Sequence, residues 1–124
     1  MIELKKILIL AVLGGLLFGC SMPAAHKETR PSTPREDAST QLTQEGRQLL
    51  QAGHYDNAIR LLEQAVGLNP NNGLSYYYLA QAWLEKGVFP EAKEFNSLAR
   101  TYLKDDPQWL MRVEKQANQI AGLE

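Results

Sequence analysis

The feature that most constrains the fold of this sequence is a self-similarity at a spacing of 34 residues, in which Gly53 recurs as Gly87 and Ala58 recurs as Ala92. The further pairs at this spacing are Gly46 and Ala80, Leu49 and Trp83, Tyr55 and Phe89, and Ala65 and Ala99. A fixed interval of this kind is typical of stacked supersecondary units, each of which buries its apolar face against its neighbours. A large enzyme with a two-domain cleft is excluded because 124 residues hold one small domain at most.

Apolar residues inside each interval follow the period of an α-helix, because residues spaced i, i+3, i+4 and i+7 share one helix face. The four stripes are Leu42, Gly46, Leu49 and Leu50; Tyr55, Ala58, Ile59, Leu62, Ala65 and Val66; Tyr76, Leu79, Ala80, Trp83 and Leu84; and Phe89, Ala92, Phe95, Ala99, Tyr102 and Leu103. Gly53 and Gly87 follow the first helix of each pair, where a left-handed terminal residue is easiest for glycine. Each interval therefore predicts two amphipathic helices joined by a turn.

A fifth apolar stripe follows the Asp106-Pro107 pair, and its members are Leu110, Val113, Ala117 and Ile120. A capping aspartate and a proline that needs no hydrogen-bond donor favour a helix start at this point. Glu114 stands where a further repeat would place glycine or alanine. The last helix is therefore predicted to cap the array.

This 34-residue period, with small residues where two helices touch and aromatic residues beside them, resembles the tetratricopeptide repeat over residues 39–106. The resemblance implies an all-α fold in the form of a short α-solenoid. Its parts would be a domain at 39–124, made of helix-turn-helix repeats at 39–72 and 73–106 and a capping helix at 107–122. Asn96 and Lys104 stand where the family has an aromatic residue and a proline. We therefore expect looser packing of the second helix in the second repeat.

Residues 1–19 have the pattern of a signal peptide. Lys5 and Lys6 form a short positive region, and they are followed by an apolar and glycine run from Ile7 to Gly19. That run is shorter than the roughly 20 residues needed to span a bilayer. We expect this segment to be removed.

The end of the apolar run, Leu17-Phe18-Gly19-Cys20, resembles the lipobox of bacterial lipoproteins. The resemblance implies cleavage between Gly19 and Cys20 and a covalent lipid on Cys20, which is the single cysteine of the chain. Ser21, in place of an aspartate, implies an anchor in the outer membrane with the protein facing the periplasm. An ordinary signal peptide or short anchor with a chance cysteine is the alternative.

After the anchor, residues 20–38 are predicted to hold the lipidated Cys20 and a disordered tether. The segment contains three prolines and no large aliphatic side chain apart from Met22. It cannot bury enough apolar surface to offset the entropy cost of ordering the chain. The tether would hold the folded domain clear of the lipid headgroups.

Charge and composition exclude several kinds of chemistry. The 13 basic and 14 acidic residues give a net charge of −1, without the basic excess expected of a nucleic-acid-binding protein. One cysteine makes neither an internal disulfide nor a cysteine-based zinc site. The two histidines, His26 and His54, have no nucleophile placed beside them. We therefore expect no enzyme activity, no metal site and no cofactor apart from the lipid on Cys20.

The resemblance also implies a functional surface, because tetratricopeptide proteins commonly bind extended peptides or helices on a concave face formed by their first helices. The variable positions of that face correspond to Thr43, Arg47, Leu50, Tyr77, Tyr78, Gln81 and Leu84, followed by Arg112 and Lys115 on the capping helix. Exposed tyrosine and arginine are frequent interface anchors. Thr43 and Tyr78 do not match the lysine and asparagine clamp of the chaperone-binding members, so that mode is not expected.

Together these patterns predict a membrane-anchored lipoprotein that acts as an adaptor or scaffold and binds an envelope protein or one of its peptide segments. Two alternatives remain open. The tyrosine-rich face could bind a glycan or a peptidoglycan fragment, or the protein could assemble with itself. Self-assembly is considered because two repeats and a cap fall below the roughly three units that such arrays usually need.

Overall fold

The computed structural model describes residues 30–124, and this part of the chain contains five α-helices and no strand. The helices are α1 (Pro34–Gln51), α2 (Tyr55–Leu68), α3 (Gly73–Glu85), α4 (Phe89–Leu103) and α5 (Pro107–Ala121). Each helix packs against the next one along the chain, and α3 also contacts both α1 and α5. This arrangement of two helix pairs and a final helix confirms the predicted short α-solenoid. Gly19 and Cys20 lie outside the described residues.

Helix α1 begins earlier than the sequence pattern indicates. The Thr33 hydroxyl accepts a hydrogen bond from the Glu36 amide at 3.2 Å, and the Thr33 amide donates to the Glu36 carboxylate at 2.7 Å. Pro34 occupies the first turn, where its missing N–H costs nothing. The predicted disorder is therefore wrong for residues 34–38, because this reciprocal cap starts the helix before the first apolar stripe.

The turns within the two helix pairs are built alike. Gly53 and Gly87 have φ angles of 79° and 75°, which side chains with a Cβ rarely adopt. At the start of α5, the Asp106 carboxylate accepts hydrogen bonds from the Gln108 amide at 3.0 Å and the Trp109 amide at 3.2 Å. No helix within residues 30–124 has the length and apolar character needed to cross a membrane.

Close contact between α1 and α2 depends on Gly46. A Cβ added at this position would lie 2.7 Å from Leu62 Cγ and 2.9 Å from Leu62 Cδ2. Leu62 is fully buried, as are Ala58 and Ala65 on the same helix. Because interiors are packed without spare volume, this contact fixes the distance between the two helices of the first repeat.

The joint between the two repeats is a buried hydroxyl cluster formed by Ser39, Thr43, Asn72 and Ser75. The Thr43 and Ser75 hydroxyls lie 2.6 Å apart, and the Thr43 hydroxyl also donates to the Ser39 carbonyl at 2.7 Å. The Asn72 amide donates to the Ser39 and Thr43 hydroxyls at 2.9 and 3.0 Å. Hydrogen bonds of this kind stabilise a buried joint because the alternative is an unsatisfied polar group.

The joint between the second repeat and α5 contains a cluster of side-chain amides. Asn96 is 5% exposed, and its amide donates to the Val113 carbonyl and to Gln116 Oε1, both at 2.9 Å. The Gln116 amide in turn donates to the Tyr77 carbonyl and to Gln81 Oε1, both at 3.1 Å. The expected loose packing at Asn96 is therefore not observed, because α5 supplies polar partners that fill and satisfy this position.

Candidate functional site

Most of the residues predicted for the concave face lie around two adjoining cavities. Arg47 and Leu50 come from α1, and Tyr77, Tyr78 and Gln81 come from α3. Helix α5 contributes Arg112 and Lys115. The contacts of α3 with both α1 and α5 bring these side chains together, because α3 lies between the other two helices.

The first cavity has a volume of about 400 Å³ and lies between α1, α3 and the start of α2. Its lining residues are Arg47, Leu50, Gln51, Tyr55, Tyr77, Tyr78, Gln81 and Glu85. One wall is apolar and aromatic, through Leu50 and the three tyrosines. Arg47 and Glu85 contribute one charge of each sign, so the lining has no net charge.

The second cavity has a volume of about 340 Å³ and lies between α3 and α5. Its lining residues are Tyr77, Gln81, Arg112, Lys115, Gln116 and Gln119. It contains two cations and no carboxylate. Tyr77 and Gln81 line both cavities, so the two cavities are parts of one depression. We call the two cavities together the groove.

Three aromatic rings pack edge to face beside the groove. The Tyr77 ring centroid lies 5.4 Å from that of Tyr78 and 5.3 Å from that of Trp109, with interplanar angles of 74° and 70°. The Arg112 guanidinium carbon lies 4.8 Å from the Trp109 ring centroid. Edge-to-face pairs and cation–π contacts fix the relative positions of these side chains. The aromatic part of the groove is thus held in place by α5.

The three cations of the groove, Arg47, Arg112 and Lys115, form no ion pair within residues 30–124. Basic residues elsewhere do form pairs, as Lys93 does with Glu124 and Arg100 does with Glu114. In addition, Arg47 Nε is shielded from solvent and has no hydrogen-bond partner. An unsatisfied buried donor costs about 1 to 3 kcal/mol, and a ligand would gain from satisfying it only if the Arg47 side chain changed conformation to expose Nε.

The Tyr77 hydroxyl is a neutral group of the groove. Burial and the neighbouring Tyr78 raise its pKa above 10.0, and the Arg112 guanidinium offsets part of this rise. Tyr77 therefore remains protonated at neutral pH. It offers a partner an aromatic ring and a phenol rather than a charge.

The prediction that Thr43 lies on the binding surface is wrong. It is 1% exposed and belongs to the hydroxyl cluster at the joint between the repeats, so a partner cannot reach it. Leu84 is partly buried and lines neither cavity. The Thr43 side chain is turned away from the groove because it packs between α1 and α3.

The sequence pattern does not indicate several residues in or beside the groove, most importantly Trp109, whose ring packs against that of Tyr77. Its signal was its position three residues before Arg112, which places both side chains on one face of a helix. The others are Gln51, Tyr55, Glu85, Gln116 and Gln119. Gln51 and Glu85 could have been found, because they are 34 residues apart and stand at equivalent positions of the two repeats.

The groove has the features of a binding surface rather than of a reaction centre. No group of three or more His, Cys, Asp or Glu side chains in the described part of the chain is arranged to hold a metal ion. His54 lies at a separate small cavity beside Asp56 and Lys86. The groove itself contains aromatic rings, amides and unpaired cations, which are groups that recognise a ligand.

Comparison with known families matches residues 49–113 to the family described as Tetratricopeptide repeat. The match runs from the end of α1 into α5 and covers more than half of the chain. No curated protein gives a significant match. Repeats of this family generally mediate protein–protein binding and are generally not enzymes. The chain therefore belongs to the tetratricopeptide-repeat family.

Proposed function

We propose that this protein is a lipid-anchored adaptor of the bacterial envelope, which holds a segment of a protein partner in the groove. The observation that carries the proposal is the meeting of Arg47, Tyr77 and Arg112, from three different helices, around two adjoining cavities. A protein segment suits such a site because its backbone can run along the groove while successive side chains enter each cavity.

The anchoring part of the proposal rests on the sequence Leu17-Phe18-Gly19-Cys20. A diacylglyceryl group on the Cys20 thiol and a further acyl chain would give stable membrane attachment, since one chain alone binds only marginally. With Ser21 after the cysteine, we place the protein at the periplasmic face of the outer membrane. Its partner would then be a protein of an envelope assembly.

A protein segment is favoured over a glycan by the aromatic geometry. Sugars stack on an open ring face, but the guanidinium of Arg112 lies over the ring of Trp109. Tyr77 and Tyr78 meet Trp109 edge to face, so the three rings do not form a flat platform. Glycan binding and self-assembly are therefore alternative outcomes of the experiments below.

The groove is tested by cross-linked affinity purification of the tagged, full-length protein from envelopes, read by mass spectrometry. The test variant carries Tyr77→Ala and Arg47→Glu. The matched control carries Met111→Ala and Lys104→Glu, which alter an apolar residue and a cation at exposed positions outside the groove. Circular dichroism checks that both variants keep their helices.

We expect one envelope protein to be captured by the native and control proteins and lost by the test variant. Equal capture by the test variant would move the interface away from the groove. Recovery of purified cell wall instead of a protein would support the glycan alternative. Recovery of the protein itself, with stability that rises with concentration, would support self-assembly.

The anchor is tested by Cys20→Ala in the full-length protein, followed by fractionation of membranes and soluble periplasm. We expect the variant to stay unprocessed or to leave the membrane, because no other cysteine can receive the lipid. Cys20→Ala protein that is processed and still held in the membrane would exclude the lipid anchor. A density gradient that separates the two membranes tests the outer-membrane placement of the native protein.

A further inference from the structure

The charges of the groove are distributed unequally between its two cavities. Arg47 and Glu85 balance one another in the lining of the first cavity, whereas Arg112 and Lys115 face no carboxylate in the lining of the second. Glu85 is also engaged, since its carboxylate accepts a hydrogen bond from the Gln81 amide at 2.8 Å. The α5 side of the groove is therefore positive.

No acidic side chain of the described chain neutralises the positive end. Among the described residues, the one ion pair made by a residue of α5 is that of Glu114 with Arg100 of α4, and neither residue lines the groove. Arg112 is exposed and held over the ring of Trp109, which leaves its guanidinium edge available for a carboxylate. A guanidinium fixed in this way loses little freedom when it binds a carboxylate, and this favours pairing.

The first cavity has a different chemistry. Leu50 and the rings of Tyr55 and Tyr78 give it one apolar wall beside polar side chains such as Gln51 and Glu85, and its volume of about 400 Å³ exceeds that of one side chain. An aliphatic or aromatic side chain would displace water from this wall, which is favourable. Tyr77 and Gln81 separate this cavity from the positive one, so a ligand that passes over them would place different side chains in each.

We propose that the groove selects an extended peptide segment in which one apolar side chain enters the first cavity and a nearby acidic side chain pairs with Arg112 and Lys115. This inference rests on the proposed function and names the chemical class of its partner. It also assigns a place to each side chain of the peptide. The apolar side chain lies on the α1 side of α3, and the acidic side chain lies on the α5 side.

The experiment uses fluorescein-labelled synthetic peptide pools of about ten residues, a length that spans roughly 33 Å when extended. The peptides of the first pool consist of Gly and Ser with a single Phe, and Glu residues lie close to this Phe on either side. This pool serves as both the Glu pool and the Phe pool in the comparisons below. The second pool has Gln in place of every Glu, and the third has Ser in place of Phe. Fluorescence polarisation with the full-length protein in detergent measures the affinity for each pool.

We expect the Glu pool to bind about tenfold more tightly than the Gln pool at low salt, which corresponds to one net charge-assisted pair. Higher salt should narrow the difference. We also expect the Ser pool to bind more weakly than the Phe pool. Equal affinity for the Glu and Gln pools overturns the charge selection, and equal affinity for the Phe and Ser pools overturns the apolar subsite.

A double variant locates the subsite for the acidic side chain. In Arg112→Gln with Lys115→Gln, the preference for Glu over Gln should fall to nearly onefold, while the preference for Phe over Ser is kept. The matched control is Arg35→Gln with Lys104→Gln, which removes the same charge at exposed positions that line neither cavity. A loss of preference in the control as well would show a non-specific field effect and overturn the assignment.

Failure of this inference can be told apart from failure of the proposed function. If an envelope protein is captured through Tyr77 and Arg47 but no pool binds, the adaptor function stands and the proposed peptide chemistry is overturned. If the pools do not bind and capture is unaffected by the Tyr77→Ala, Arg47→Glu change, the groove is not the interface and both proposals fall.

Discussion

Equivalent positions of the two repeats have different roles. Thr43 and Tyr77 are 34 residues apart and occupy the same place in their first helices. Thr43 is buried in the hydroxyl cluster, whereas Tyr77 lines both cavities of the groove. The second helices differ in the opposite order, because fully buried Leu62 of the first repeat corresponds to Asn96 of the second repeat, which bonds to α5. Equivalent positions of the repeat therefore carry apolar contacts in one copy and polar joints in the other.

The comparison shows what the repeat determines and what its neighbours determine. The frame fixes which face of each helix turns inward, since Leu62 and Asn96 are both buried. The element on that side then decides the chemistry. Leu62 packs against α1 at Gly46, where there is no side chain. Asn96 instead donates hydrogen bonds to the Val113 carbonyl and the Gln116 side-chain amide of α5. Substitutions at paired positions test this interpretation.

The largest expected effect is that of Leu62→Ala. Because the side chain is fully buried, the free energy of unfolding should fall by about 2 to 5 kcal/mol. Asn96→Ala removes two hydrogen bonds and should cost less, about 1 to 3 kcal/mol. Urea unfolding followed by circular dichroism measures both values. An Asn96→Ala loss as large as that of Leu62→Ala would mean that the polar joint is as important for stability as the apolar contact.

Gly46→Ala tests the close approach of the first helix pair. The added methyl group would lie 2.7 Å from Leu62 Cγ, so we expect a loss of about 1 to 3 kcal/mol from overpacking. The second repeat carries a methyl group at the equivalent Ala80. Gly67→Ala is the matched control, because a Cβ there meets nothing within 4 Å and should stabilise the helix by about 0.5 to 1 kcal/mol. The same sign for both changes would contradict the steric argument.

Thr43→Val separates the joint from the groove. Valine keeps the shape of the side chain but removes the hydroxyl that bonds to Ser39, Asn72 and Ser75. We expect a loss of about 1 kcal/mol in thermal or urea unfolding. Binding of the Glu peptide pool should not change. Weaker peptide binding by folded Thr43→Val protein would return this position to the binding surface.

The smallest expected effect is a pH dependence that comes from the tyrosines. Burial raises the pKa of Tyr76 and of Tyr77 above the ordinary value of 10.0. The folded state thus retains these protons longer than the unfolded state, so their contribution is complete below pH 10 and is lost as the pH rises through the raised values. In urea unfolding, the midpoint concentration should fall as the pH rises above 10, and Tyr77→Phe should make this fall smaller. An unchanged alkaline slope would exclude Tyr77 as a source.

The helical architecture could be predicted because its determinants are local. Two glycines with positive φ and regularly spaced apolar residues are visible in the sequence, and the fold they imply is confirmed. The early start of α1 could also have been found, since Thr33 and Glu36 form a capping pattern three residues apart. The first turn of α1 has no apolar stripe, so the hydrophobic pattern does not indicate it.

The details of the groove could not be predicted, because they depend on contacts between residues far apart in the chain. Burial of Thr43 requires Ser75, which is 32 positions away, and Gln116 joins the groove through carbonyl and amide groups of α3. Trp109 becomes part of the site only when α5 docks beside Tyr77. A repeat pattern indicates which helix faces meet, but it does not specify which polar groups form hydrogen bonds with one another.

The amide joint also determines which changes in surroundings the groove can tolerate. Gln81, Gln116 and Asn96 gain and lose no protons over the ordinary range of pH, and their hydrogen bonds involve no ionised group at the joint itself. The amide part of the α5 contact should therefore stay constant as acidity and ionic strength vary, whereas the exposed ion pair of Arg100 with Glu114 beside it should weaken at high ionic strength. Since exposed pairs contribute little to stability, the response of binding to those conditions should come mainly from the partner's charges and the exposed cations that meet them.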